Sequence, residues 1–111
     1  AGAPFGDLHA WMSERLDGDL SVVRLAEQAN MSARTFARSY LARTGSTPAK
    51  AVERMRLEAA RFALLDSDAP LKRIAARVGF GDEQNLRRAF QRQYGVTPVA
   101  YRERFGVMGV A

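Results

Sequence analysis

The stretch "DEQNLRRAFQR", residues 82–92, sets several hydrogen-bonding side chains within one short run. Gln84 and Asn85 each carry an amide that donates and accepts side by side, which is the pattern an adenine edge presents in a DNA major groove. Arg87 and Arg88 carry planar forks of donors that match the two acceptors of guanine. Glu83 could accept from a cytosine amino group or orient a neighbouring arginine. An earlier stretch, "SARTFARSYLART" at residues 32–44, offers Ser32, Arg34, Thr35, Arg38 and Arg43. Any amphipathic helix has a polar outer face, so each set must also be weighed as a solvated surface.

Other chemistry finds little support. His9 is the only histidine and has no cysteine or carboxylate in a catalytic pattern beside it; the chain has no cysteine at all. "GFGDEQ" is not a dinucleotide fingerprint, because no strand precedes it. "DGD" at residues 17–19 is too short for a calcium loop. No enzyme activity, metal or cofactor is therefore expected. No apolar run approaches the length of about 20 residues that crosses a bilayer, and the N-terminus lacks a signal-peptide pattern, so a soluble, cytoplasmic protein is expected.

The net charge of +5 comes almost wholly from arginine, since Lys50 and Lys72 are the only lysines. Residues 1–31 hold two basic side chains against five acidic ones, residues 32–62 hold seven against two, and residues 70–111 hold eight against three. The basic charge is thus concentrated in two segments, as directed patches would require.

Proline and glycine punctuate the chain, strand-like alternation is almost absent, and the expected class is all-α. Asp7 is read as the cap of a first helix running to about Asp17 and ended by Gly18, with Leu8, Trp11, Met12 and Leu16 on one face. Ser21 caps a short helix to Ala29. Ser32 caps another to about Thr44, with Phe36, Tyr40 and Leu41 apolar. Thr47 and Pro48 then open the longest helix, to about Asp66. Three more helices follow, around residues 71–78, around Leu86, Ala89, Phe90 and Tyr94, and from Pro98 to about Phe105. Tyr40, Phe90, Tyr94 and Trp11 fit a core better than a base-stacking role. Thr47 and Thr97 are caps first, although a capping hydroxyl and the N–H groups behind it can also hold a phosphate.

The chain repeats itself. "GSTPAKAVERM" at residues 45–55 returns as "GVTPVAYRERF" at residues 95–105, and the match extends backwards through Phe36 and Leu86, Arg38 and Arg88, and Tyr40 and Phe90. Further back, Leu25-Ala26 matches Ile74-Ala75 at an offset one residue smaller, which places one inserted residue in the second turn. Each copy reads as short helix, tight turn, longer helix, Gly stop and Thr-Pro restart, the outline of a helix-turn-helix. The expected fold is seven helices in two such subdomains, residues 7–47 and 67–105, joined by a long central helix at 48–66. Residues 1–6 are read as a remnant or linker, and 106–111 as a frayed tail.

"IAARVGFGDEQNLRRAFQRQYGVTPVAYRERF", residues 74–105, resembles the C-terminal signature of the AraC/XylS family of bacterial transcription regulators. "LAEQANMSARTFARSYLARTGSTPAKAVERMRLEAARFALL", residues 25–65, resembles the family's first helix-turn-helix and connecting helix. The resemblance implies an activator-type, sequence-specific DNA-binding domain whose two recognition helices enter successive major grooves. It implies base contacts from Arg34, Thr35, Arg38, Gln84, Asn85, Arg87 and Arg88, and phosphate contacts from Ser32, Arg43, Lys72, Thr97 and Arg92. Double-stranded DNA, RNA polymerase and a separate effector or dimerisation domain are the implied partners. Two departures stand out. Ala37 replaces a longer polar side chain and could meet only a thymine methyl, and Asn85-Leu86 replaces an aromatic pair. "MSARTFARSY" and "LRRAF…YR" resemble the branch in which a domain like class I glutamine amidotransferases comes first. The residues themselves leave two rivals open, a helical protein-interaction module and a nonspecific DNA-binding protein.

Overall fold

The structure, a computed structural model, describes residues 5–106. The described residues form seven helices and no strand, and the chain divides into two compact units between Met55 and Arg56.

In the first unit, α1 spans Gly6–Ser13, α2 Val22–Gln28 and α3 Ala33–Thr44. Local chemistry sets most of these ends. The Ser21 hydroxyl accepts from the Arg24 N–H and the Ser32 hydroxyl from the Thr35 N–H, so each helix begins with one of its orphan donors satisfied. Gly45 closes α3 at φ 79, a left-handed conformation that costs glycine little, and its N–H reaches the Leu41 carbonyl.

α1 departs from expectation at both ends. Phe5, at φ 60, occupies the cap position without a side-chain bond, so Asp7 lies in the first turn, where its charge complements the helix dipole. The helix stops at Ser13 rather than Asp17. The Ser13 hydroxyl and Arg15 Nη1 take up the Ala10 and Trp11 carbonyls, and the chain leaves through turns closed by Arg15 N–H to Met12 O and Gly18 N–H to Arg15 O.

The core of this unit gathers Leu8 and Met12 of α1, Leu25 and Ala26 of α2, Phe36 and Tyr40 of α3, and Val52. Phe36 is fully buried and on its own contributes about 1.5–3 kcal/mol by leaving water. Leu41 is not part of this core and is 49% exposed. It follows Tyr40 directly, so the helix turns it about 100° away from the Phe36–Tyr40 stripe. Phe5, expected to lie in a leading linker, packs edge-on against Phe36 at 5.8 Å. Residues 1–4 of that linker lie outside the described residues.

α4 spans Pro48–Asp66, opened by the Thr47 hydroxyl accepting from the Lys50 N–H. Its later residues Leu57, Ala60 and Leu64 belong to the second unit, with α5 (Leu71–Val78), α6 (Glu83–Tyr94) and α7 (Pro98–Phe105). The turn between α5 and α6 uses two left-handed glycines, Gly79 and Gly81, and this is where the extra residue of the second copy sits. Asp82 caps α6 through the Asn85 N–H at 2.8 Å, and Thr97 caps α7 through the Ala100 N–H at 3.1 Å.

Ile74, Leu86 and Phe90 are fully buried at the centre of the second core. The Arg102 guanidinium ties the unit together from α7, donating to the carbonyls of Leu64, Ser67 and Ala69. Gly106, expected to begin a frayed tail, is buried with its N–H on the Arg102 carbonyl. A Cβ there would lie 2.6 Å from that carbonyl, so the close approach requires glycine. The remainder of the tail, residues 107–111, lies outside the described residues.

Candidate nucleic-acid interface

Each unit presents the outer side of its longer helix, α3 or α6, while Phe36 and Tyr40, or Leu86 and Phe90, hold the inner side in the core. Four-residue spacing of the buried pair turns Arg38 on α3 and Arg88 on α6 outward, whereas Ala89 is buried with its neighbours.

On α3, Arg34, Thr35 and Arg38 are exposed, and Ala37 is half-buried. Thr35, Arg38, Ser39 and Ala42 line a shallow, open groove of about 380 Å³ along this face. The Arg34 and Arg38 guanidinium groups form no hydrogen bond or ion pair with another described residue, so both are available to a ligand. Arg43 is exposed in the last turn and lies over the Phe5 ring at 5.8 Å. Ser32 uses its oxygen to accept from the backbone, but its hydroxyl hydrogen is still a donor that a phosphate could receive. The same chemistry holds for Thr97.

The inner side of α3 is fixed partly by polar contact. His9 Nε2 lies 2.7 Å from the Tyr40 hydroxyl, which makes His9 an anchor between α1 and α3. Burial pushes the Tyr40 hydroxyl up from its ordinary pKa, with nearby Arg54 acting in the opposite direction. Trp11, expected in the core, is only half-buried, and the Arg15 and Arg24 guanidinium groups lie over its ring, 4.6 and 4.7 Å from the centroid. Those arginines pair with Glu14 and Glu27 on the surface, which offsets their charge.

On α6 the polar side chains engage one another. Arg87 Nη1 donates to Gln84 Oε1 at 2.9 Å, and its Nη2 lies 3.6 Å from Glu83 Oε2 in a partly exposed ion pair. Arg88 Nη2 donates to Asn85 Oδ1 at 3.0 Å. Gln84, Asn85 and Arg88 are exposed, and Arg87 is half-buried. Arg92 is exposed in the last turn of α6, and Lys72 in the first turn of α5, beside the equally exposed Arg73.

The lower end of α6 is seated on α4. The Tyr94 hydroxyl donates to Glu58 Oε2 at 3.4 Å, Arg61 pairs with Glu58, and Arg61 Nη1 donates to the Tyr101 hydroxyl at 3.3 Å. The bond from Arg61 holds the Glu58 carboxyl below the usual carboxylate range, whereas burial first, and then the Glu58 charge, raise the Tyr94 hydroxyl.

Sequence reasoning found the exposed arginines and amides but missed three supporting groups: the Asp82 cap, the Arg102 clamp and the two arginines over Trp11. Only the first had a local signal, an aspartate placed three residues before Asn85 at a helix start. Among the described residues, no group of three His, Cys, Asp or Glu could hold a metal ion, and no helix is long and apolar enough to cross a membrane.

Residues 25–104 match a family model described as a helix-turn-helix domain. The chain is 41% identical over 91 residues to the HTH-type transcriptional regulator Rv1931c of Mycobacterium tuberculosis, covering 82% of this chain and 35% of that protein. It is 37% identical over 97 residues to the MmsAB operon regulatory protein of Pseudomonas aeruginosa, covering 87% and 32%. This chain thus spans about a third of the length of these relatives. Among solved structures, the DNA-binding domain of AdpA, a global transcriptional factor captured in complex with a target DNA, matches with a TM-score of 0.84 and 38% identity over 91% of each chain. The C-terminal domain of AraT, a response regulator from Geobacillus stearothermophilus, matches with a TM-score of 0.86 over 95% of this chain and 88% of that one. At 24% identity, the likeness to AraT speaks for the fold alone.

Proposed function

Because the chain belongs to the AraC-type family of helix-turn-helix domains, we propose that it binds double-stranded DNA sequence-specifically, as the DNA-binding part of a bacterial transcription regulator. The observation that carries this reading is the repeated build. Each unit holds a capped helix by its apolar side, after a short helix and a turn, and turns arginines outward. A helix held in this way is what a major groove admits, with side chains near its N-terminus reaching base edges. The likeness to a domain crystallised on its target DNA supports the same reading.

In this reading α3 takes one major-groove segment, with Arg34, Thr35 and Arg38 toward the bases, and α6 takes the next, with Gln84, Arg87 and Arg88 toward the bases and Asn85 beside them. Ser32, Arg43, Lys72, Arg92 and Thr97 meet phosphates. Residues 7–47 and 67–105 are the two reading subdomains and 48–66 the helix that joins them. The whole regulator works in the cytoplasm as an activator, carries an effector or dimerisation domain outside this chain, and contacts RNA polymerase.

A salt titration of binding to a cognate and a random duplex tests the proposal. Phosphate contacts release counterions, so affinity should fall steeply with salt on both duplexes and the cognate site should keep a clear advantage. Arg43→Ala should weaken both duplexes alike and flatten the salt slope, whereas Arg88→Ala should lose mainly the cognate advantage. Weak, salt-insensitive binding to every duplex would refute the reading, and equal affinity for all sequences would reduce it to nonspecific binding.

A further inference from the structure

The Asn85 amide uses both of its ends within the protein. Its Nδ2 donates to the Phe80 carbonyl at 3.3 Å, and its Oδ1 accepts from Arg88 Nη2 at 3.0 Å. A carbonyl only accepts and a guanidinium only donates, so the two partners fix which end of the amide is which. The anchor is itself held in place. Phe80 packs against the second core and its N–H bonds to the Ala75 carbonyl at 2.9 Å, while the Asn85 N–H is held by Asp82 at 2.8 Å.

We propose that Asn85 is a positioning residue and not an adenine reader: it links the fixed turn at Phe80 to the Arg88 guanidinium and holds that group ready for a guanine edge. The inference rests on the base-reading role of α6 proposed above. A two-point contact with adenine needs an amide N–H and the oxygen aimed together at one base edge, and here one N–H is committed to the Phe80 carbonyl and the oxygen to Arg88, which ties the amide back onto the protein. Arg88 gives up little by comparison. A guanidinium has five N–H donors, and one bond to Asn85 leaves a two-donor edge intact for guanine O6 and N7. Because the side chain is ordered before it meets DNA, less ordering remains to be done on binding.

Arg87 stands in a different position. Both of its terminal nitrogens face protein acceptors, Gln84 and Glu83, and the carboxylate offsets its charge. Arg88 makes no ion pair with a described residue and keeps its full charge. The relay therefore marks Arg88 as the principal guanine reader of α6, with Asn85 behind it.

Sequencing the fraction of a random duplex library bound by the 111-residue chain tests this, run in parallel for the wild type and for Asn85→Ala, Asn85→Asp, Arg88→Ala and the double alanine variant. The wild type should select a guanine that Arg88→Ala loses by about tenfold. Asn85→Ala should lower the preference at that same base pair, by about threefold, and the double variant should fall no lower than Arg88→Ala alone. Asn85→Asp keeps an acceptor for Arg88 but lacks the donor an adenine contact requires. It also loses the bond to the Phe80 carbonyl, so it should keep only part of the guanine preference, between the wild type and Asn85→Ala, and its added charge weakens binding to every duplex. Melting by circular dichroism confirms that each variant folds.

Loss of an adenine preference in Asn85→Ala and Asn85→Asp, with the guanine retained, would overturn the inference and make Asn85 a reader. Independent losses at two positions that multiply in the double variant would do the same. A wild-type library with no enriched sequence would instead overturn sequence-specific binding itself, and this inference with it.

Discussion

Replacing Arg102 tests whether one guanidinium can secure the junction between α4 and α5. Its three nitrogens donate to Leu64 O at 3.2 Å, Ser67 O at 3.0 Å and Ala69 O at 2.7 Å. The Leu64 carbonyl is an orphan of the last turn of α4, and the other two lie in the segment before Pro70, so the helix ladder does not satisfy them. A bond from a charged donor contributes about 1.5–3 kcal/mol. The contact with Ser67 is exposed and water can replace it, which leaves two part-buried bonds to carry most of the effect. Arg102→Ala should therefore lower stability by about 2–4 kcal/mol, a large part of the 5–15 kcal/mol typical of a folded domain. Arg102→Lys delivers one point charge instead of a fork and should recover less than half of that loss. Urea unfolding followed by circular dichroism measures both. A lysine variant within about 0.5 kcal/mol of the wild type would refute the argument from the fork, and so would an alanine variant that loses less than about 1 kcal/mol.

Three further outcomes follow from the helix ends and the Glu58 pair. Ser32→Ala removes the acceptor for the Thr35 N–H and should cost about 1 kcal/mol in urea unfolding, whereas Ser32→Thr should stay close to the wild type. Gly45→Ala forces a Cβ into a φ of 79 and should cost about 1–2 kcal/mol by the same measurement, although nothing lies close enough to clash with it. The folded Glu58 carboxyl is held below its unfolded pKa by Arg61, so its stabilising effect is present at neutral pH and is lost as the pH falls through the carboxylate range. The melting temperature of the wild type should exceed that of Glu58→Gln at neutral pH, and the gap should begin to narrow near the ordinary glutamate pKa of about 4.3 and close only as the pH falls through the lower folded value. A gap that persists into acid would assign the difference to packing.

The features legible in the sequence are those fixed by a few neighbouring residues. Ser21, Ser32, Thr47 and Thr97 cap where an oxygen-bearing side chain precedes a helical pattern, and Gly45 and Gly95 stop helices by adopting the left-handed conformation. α1 escaped that logic because it begins at a left-handed phenylalanine, a conformation that the residue type does not announce. It also ends before its glycine, because two side chains bond back onto its carbonyls. Contacts across the fold were beyond reach. Arg102 meets carbonyls more than thirty residues away, and nothing in "YRERF" says which. The candidate interface lies between these cases. Its residue types follow from the pattern, but the pairing of Asn85 with Arg88 and of Gln84 with Arg87 depends on rotamers that a list of exposed positions does not contain.

The placement of Trp11 has a spectroscopic consequence. It is the only tryptophan in the chain, it lies in the first unit, and it touches two guanidinium groups carried on different segments, Arg15 beyond the end of α1 and Arg24 on α2. Red-edge emission is therefore a private signal of the first unit. The second unit, whose rings are Tyr94, Tyr101 and phenylalanines, is silent in that channel. A denaturant titration read by tryptophan emission beside one read by helical ellipticity would show directly whether the two halves of this repeated chain let go together or one at a time.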